Sequence, residues 1–288
     1  MKKSYLVLHI AVLLAGFTGV FGKLISLNEG LLVWYRVFFS SIWLFFILKL
    51  FHVGTNLSRT EKVGIAKVGL FITAHWVFFY ASIKYANISI GVVCYCLTSF
   101  FTAIFSGLMK KRFVPSELLL SLLTLVGIGL IFHFDTTYQV GIALGTISSA
   151  FAALYTLYNE RLVQRYDSKL INYYQMLGGT LGLGLLLPVY LSIFPTTNVI
   201  PGLKDTFYLL LLSLLCTVGL YVLFAESLKK IPAFTVNLSF NLEPIYAIVM
   251  AFVFFGESKT VNASFYIGLL FVMASVGLQS LLSIRAKA

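Results

Sequence analysis

The chain has 288 residues, of which 59% are hydrophobic and only 11% charged, against ~45–50% and ~25% in soluble domains. So few charges cannot cover a soluble surface, which excludes a cytosolic enzyme, and 27 Phe, 16 Tyr and 3 Trp exclude disorder. The net charge of +11 would suggest a nucleic-acid partner in a soluble protein. In a lipid-embedded chain it follows from the Lys and Arg excess of cytoplasmic loops, so membrane lipid is expected and nucleic acid is not.

Apolar segments of helix length, separated by short polar breaks, predict ten spans. They lie near 4–22, 29–51, 63–83, 86–109, 114–133, 139–159, 170–194, 206–226, 232–255 and 264–283. Each can cross a hydrocarbon core of ~30 Å at ~1.5 Å per residue. The runs are continuous rather than alternating, which disfavours a membrane barrel. The first segment has the basic start and apolar stretch of a secretory signal. Its apolar run continues to Gly22 without a clear small-x-small site, so it is read as an uncleaved helix.

Charge sets the orientation. With the N-terminus in the cytoplasm, sixteen Lys and Arg fall inside, while Lys23, Lys84, Lys204 and Lys259 fall outside and Arg36 lies within a span. Ten spans with both ends cytoplasmic follow. The chain also repeats itself weakly. An offset of 145 places Ser82-Ile83-Lys84 on Ser227-Leu228-Lys229, Trp76 on Tyr221, Leu97 on Leu242 and Phe101 on Tyr246. An offset of 139 places Trp34-Tyr35-Arg36 on Tyr173-Tyr174-Gln175, and one of 138 pairs Thr18 with Thr156. Five spans per half is odd, so the second half enters the membrane the opposite way. The expected fold is an all-α integral membrane protein of ten transmembrane helices in two inverted five-helix repeats, 4–133 and 139–283. Inverted repeats of this kind are a transporter device, with substrate bound near the midplane.

Several short motifs fall in a consistent order. Leu242-Glu243-Pro244 is followed by an apolar run and Gly256-Glu257; Gly141–Arg161 reads GIALGTISSAFAALYTLYNER; Arg36 lies in the second span. With these the chain resembles the EamA-type members of the drug/metabolite transporter superfamily. The resemblance implies ten helices in two inverted halves and a small-molecule substrate. The first half departs from that pattern, with Thr98-Ser99 where a repeat proline is common and Arg112 where an acid is common.

Ionisable groups inside a membrane cost ~2.5–3.5 kcal/mol on insertion scales, so each needs a reason. Glu243 lies ~16 Å from either end of its span, too deep to reach water. Pro244 removes a backbone donor and frees the carbonyl of Phe240, and Asn237 and Asn241 share one face at i, i+4. This stretch either lines a substrate chamber or sets packing through a hydrogen-bonded Glu243. Arg36 lies ~10 Å inside its span; it either snorkels outward or stays buried to meet an acid or a substrate carboxylate. His75 is either a satisfied core residue or a chamber group that handles an anion or a proton. Trp76, Tyr95, Ser99, Tyr155 and Tyr221 complete an amphipathic set of candidate substrate contacts, with Tyr95 and Ser99 on one face of the fourth span. The alternative for each is ordinary packing.

Cys94, Cys96 and Cys216 all lie in apolar runs. The first two sit about 200° apart on a helix, so no disulfide or metal spacing follows. Gly178/Gly182 and Gly141/Gly145 form G-x-x-x-G pairs that let helices approach closely. Internal packing is their expected use, and a homodimer stays open. No metalloprotease, dinucleotide or P-loop motif occurs, and no cofactor is expected. The sequence therefore points to a secondary transporter of the bacterial inner membrane that exports a small metabolite, such as an amino acid or related compound. A membrane enzyme acting on a lipid or isoprenoid is the alternative. A channel is a third class, without a carbonyl-filter motif.

Overall fold

A computed structural model of the chain describes residues 2–132, 138–256, 266–268, 270–271, 273–275 and 277–278. Glu257, Ser258, Lys259 and much of the 264–283 span lie outside the described residues. The helices are α1 (Lys2–Leu24), α2 (Glu29–Leu50), α3 (Arg59–Tyr85), α4 (Ile88–Tyr95), α5 (Leu97–Lys110), α6 (Pro115–Phe132), α7 (Gln139–Leu162), α8 (Ser168–Ile193), α9 (Leu203–Ser213), α10 (Leu220–Leu228), α11 (Ala233–Phe240) and α12 (Glu243–Phe255). A π-helical stretch, Leu214–Gly219, joins α9 to α10. No strand occurs among the described residues. Eight of the described segments are long and apolar enough to cross a membrane, and Pro115–Gly127 and Tyr266–Ser275 are shorter apolar helices. The chain is an all-α membrane protein.

Local sequence starts the helices. Asn28 accepts a hydrogen bond from the Leu31 N–H at 2.9 Å. Ser58 and Glu61 form a capping box, and Asp167 accepts from the Lys169 N–H at 2.8 Å. Each satisfies a backbone donor that a helix start leaves free. Exposed apolar side chains run along the outer faces, for example Leu6, Ile10, Leu13 and Phe17 on α1 and Leu181, Leu185 and Val189 on α8. In a bilayer these face acyl chains.

Besides the eighth, which passes through the π-helical stretch, two predicted spans are not single helices. The fourth breaks at Cys96 between α4 and α5, which corrects the expectation that Tyr95 and Ser99 share one helical face. The ninth breaks after Phe240, where Asn241 N–H donates to the Leu238 carbonyl and Leu242 N–H to that of Ser239, both at 3.1 Å. Helix resumes at Glu243, so Pro244 falls in the first turn of α12, where its missing N–H costs nothing.

Packing pairs the halves. α2 packs on α8, α3 on α7, α1 on α10, α4 on α12 and α5 on α11. α2 and α8 run antiparallel. Tyr190 OH donates to Glu29 at 2.6 Å, Trp34 Nε1 donates to the Thr180 carbonyl at 3.2 Å, and Lys169 lies 5.5 Å from the Phe51 ring. The contacts α4–α12 and α5–α11 likewise set Ile88–Lys110 antiparallel to Ala233–Phe255. Glycines permit the close approaches. A Cβ on Gly178 would strike the Ala66 carbonyl, and one on Gly145 would lie 2.5 Å from Cys94 Cβ. Both G-x-x-x-G faces are therefore spent within the bundle.

Candidate functional site

Arg36 sits on α2 and is fully buried. Its Nε donates to Thr217 Oγ1 at 2.7 Å, Nη1 to the Tyr80 hydroxyl at 2.8 Å and Nη2 to the Cys216 carbonyl at 2.9 Å. The guanidinium lies 3.8 Å from the centre of the Trp76 ring. The two expectations for this residue are thus separated: the side chain does not snorkel. Its charge is solvated by neutral oxygens and an aromatic face, and no carboxylate pairs with it within 4.0 Å among the described residues. The π-helical stretch supplies two of these oxygens, and such stretches recur at functional sites.

Trp76 separates Arg36 from a small central cavity. Trp76 Nε1 donates to the Tyr221 hydroxyl at 3.2 Å, and the two rings meet edge to face at 5.2 Å. These are the residues that the 145-residue offset made equivalent. Both rings line the same cavity. The cavity holds about 20 Å³ and is lined by Ala15, Thr18, His75, Trp76, Phe79, Tyr95, Leu220, Tyr221, Phe240 and Glu243. A buried water needs ~10–15 Å³ by this measure, so one water fits and a metabolite does not. Among the described residues, this cavity leaves no room for a metabolite.

Glu243 reaches this cavity from the start of α12, where the helix dipole favours an anion. Its carboxyl group makes no hydrogen bond among the described residues. His75 is anchored from behind. Its Nδ1 lies 2.8 Å from Ser148 Oγ and 3.2 Å from the Ser148 carbonyl, and that hydroxyl donates to the His75 carbonyl at 2.9 Å. Nδ1 is thereby taken, and Nε2 remains for the cavity. The ring packs 5.2 Å from Tyr95 and 5.7 Å from Phe79.

Five of the ten sequence candidates therefore line the cavity: His75, Trp76, Tyr95, Tyr221 and Glu243. Arg36 stands behind Trp76. Tyr155 is one layer out, with its ring 5.9 Å from Tyr221 and its hydroxyl donating to Gln175 Oε1 at 3.1 Å. Ser99, Asn237 and Asn241 form a polar seam between α5 and α11. Asn237 Nδ2 donates to Thr102 Oγ1 at 2.7 Å, Thr156 Oγ1 donates to Asn237 Oδ1 at 3.0 Å, and Asn241 Nδ2 lies 3.4 Å from Ser99 Oγ. Thr98 Oγ1 and Asn241 Oδ1 at this seam are buried without a hydrogen bond.

Sequence reasoning missed Ser148, Thr217 and Tyr80. Tyr80 carried a signal, since it shares a helix face with Trp76 at i, i+4. Ser148 and Thr217 carried none, because their roles depend on which helix lies opposite. The three cysteines are buried and free.

Comparison with known proteins agrees with this architecture. The chain is 22% identical over 241 residues to an uncharacterized transporter of Clostridium kluyveri, covering 79% of this chain and 73% of that one. A solved structure described as "Crystal structure of protein" superposes with a TM-score of 0.73 at 16% identity, covering 98% of both chains. That likeness concerns the fold. The sequence model described as the EamA-like transporter family matches residues 2–133 and again 139–281. With both stretches matched, the chain belongs to the EamA-like transporter family, within the drug/metabolite transporter superfamily.

Proposed function

We propose that the chain is a secondary transporter, not an enzyme, which exports a small metabolite such as an amino acid or related compound across the bacterial inner membrane. In this reading the halves 4–133 and 139–283 are inverted five-helix repeats, both termini are cytoplasmic, and the halves rock to open the central cavity to each side in turn. The carrying observation is the cavity itself. It lies where the Trp76–Tyr221 contact and both broken helices meet, its wall carries a carboxyl group and an imidazole, and it is too small for a metabolite in this conformation. A site of that kind acts only by opening. Antiparallel pairing of α2 with α8 and of the two broken segments supports the inverted division.

Purified protein in proteoliposomes tests this, using a panel of amino acids and other small metabolites with and without an imposed pH gradient. Saturable flux of one class is expected. Glu243→Gln and His75→Ala should each lower it at least tenfold at normal expression. Intact flux in both variants would place the path elsewhere. Flux that follows the pH gradient in the native chain and loses that dependence in Glu243→Gln would make Glu243 the proton carrier.

A further inference from the structure

A second cavity lies at the membrane edge, on the face of the bundle that carries the N-terminus. It holds about 240 Å³, and its walls include Ser106, Gly107, Lys110, Arg112, Val114 and Glu117. Its shape follows from the way α5 ends. Lys111 takes a left-handed conformation at φ 51°, and the Arg112 N–H returns to the Gly107 carbonyl at 3.0 Å. This reversal is a familiar helix stop. It lays Phe113 across Gly107, where a Cβ would strike the ring. Lys110 and Arg112 thereby both line the cavity.

Neither cation is firmly committed elsewhere. Lys110 lies 3.9 Å from Glu160 with its side chain 60% exposed, which is a weak surface pair. Glu160 has a stronger bond, accepting from the Ala233 N–H at 2.7 Å. The Arg112 side chain is exposed and makes no hydrogen bond among the described residues. Val114 in its wall, Phe113 on Gly107 and Leu108 in the last turn of α5 are exposed apolar side chains. The cavity thus combines two cations at headgroup depth, a carboxylate and a border suited to acyl chains.

We infer that this cavity binds the headgroup of an anionic phospholipid that carries free hydroxyls, such as phosphatidylglycerol. Lys110 and Arg112 meet the phosphate, as basic groups near a membrane surface do. Glu117, which would repel a bare phosphate, accepts from the headgroup hydroxyls. The apolar border holds the start of the acyl chains. Binding draws Lys110 away from Glu160, and Glu160 stays with α11.

Native mass spectrometry of the full chain in neutral detergent tests the inference, with phosphatidylglycerol, phosphatidic acid and phosphatidylcholine added in turn. One phosphatidylglycerol should be retained in preference to phosphatidylcholine. Lys110→Gln with Arg112→Gln should weaken that retention at least tenfold, at about the strength expected of two surface cations. Lys229→Gln with Lys230→Gln, at another basic corner of the same face, should change it less than twofold. Glu117→Gln should shift preference several-fold towards phosphatidic acid, whose headgroup has no alcohol hydroxyls. Melting temperature in the same detergent confirms that each variant is folded, and Arg112→Gln alone serves if the double variant is not. Equal losses for both basic pairs would reduce the effect to diffuse attraction and overturn the site. So would the absence of preference over phosphatidylcholine, or equal displacement of the lipid by free glycerol phosphate or inorganic phosphate.

Discussion

Ala233–Phe255 breaks beside Pro244, while Ile88–Lys110 breaks at Cys96 without any proline. The 145-residue offset carries Cys96 onto Asn241, so the two breaks occupy equivalent places. The means differ. Both breaks close a short turn, Cys96 N–H donating to the Val93 carbonyl at 3.0 Å and Asn241 N–H to that of Leu238 at 3.1 Å, but in the second half a proline that cannot donate follows. In the first half the neighbouring helix supplies the partner: Ser149 Oγ on α7 donates to the Cys94 carbonyl at 2.7 Å, and Ser99 Oγ donates to the Cys96 carbonyl at 3.0 Å. Irregular backbone survives at membrane depth only where protein satisfies it. One break is therefore written in the chain, and the other is made by its surroundings. The same asymmetry separates Arg36 from Gln175. The first binds oxygens of α3 and the π-helical stretch; the second joins Tyr155 to Asn159 within reach of α7.

Four substitutions sharpen or break this comparison. Arg36→Gln makes the halves alike at that position and is expected to have the largest effect. It leaves Cys216, Thr217 and Tyr80 without their donor, at a cost of about 3 kcal/mol or more. Flux should fall more than tenfold and the melting temperature should drop clearly; a variant with native stability would show that the guanidinium is not structural. Asn237→Leu removes the seam between the broken helices. About 1–2 kcal/mol should be lost, read from thermal unfolding in detergent, and a rise in melting temperature would count against the seam. Ser149→Ala withdraws the hydroxyl that serves the proline-free break and should cost about 0.6 kcal/mol. Hydrogen exchange around Cys96 should rise in step, and unchanged exchange would remove Ser149 from the explanation. Pro244→Ala should change stability least, by about 0.5 kcal/mol or less, because the seam holds the break after the proline has gone. The substitution restores a backbone N–H at that position, and its protection from exchange at the level of a continuous helix would reverse that ranking.

Much of the fold was legible in the chain. Burying backbone in lipid requires long apolar runs, and such runs are visible one residue at a time. Among the described residues the first nine spans agree with the helices to within a few residues, except that α3 and the segment ending in α10 begin or extend further into the loops. Glu243, Pro244 and His75 stood out because polar groups are rare at that depth. The offset of 145 paired Trp76 with Tyr221, and the two touch. The break at Cys96 was not legible. Nothing in Val93-Cys94-Tyr95-Cys96-Leu97 disfavours a helix strongly, and the hydroxyl that stabilises the break belongs to a residue 55 positions away.

The sequence by itself determined that this is a helical membrane protein, where its spans run, that it repeats, and to which family it belongs. Those properties follow from hydropathy, charge and motif order, which are sums over neighbours in the chain. Only the tertiary structure decided that Arg36 is buried on Trp76 rather than snorkelling, that five of the ten candidates share one water-sized cavity, and that Ser99, Asn237 and Asn241 join helices instead. Those outcomes depend on which side chains meet across helix interfaces. In lipid that choice comes from close packing and hydrogen-bond partnership, and neither is carried by any single stretch of sequence.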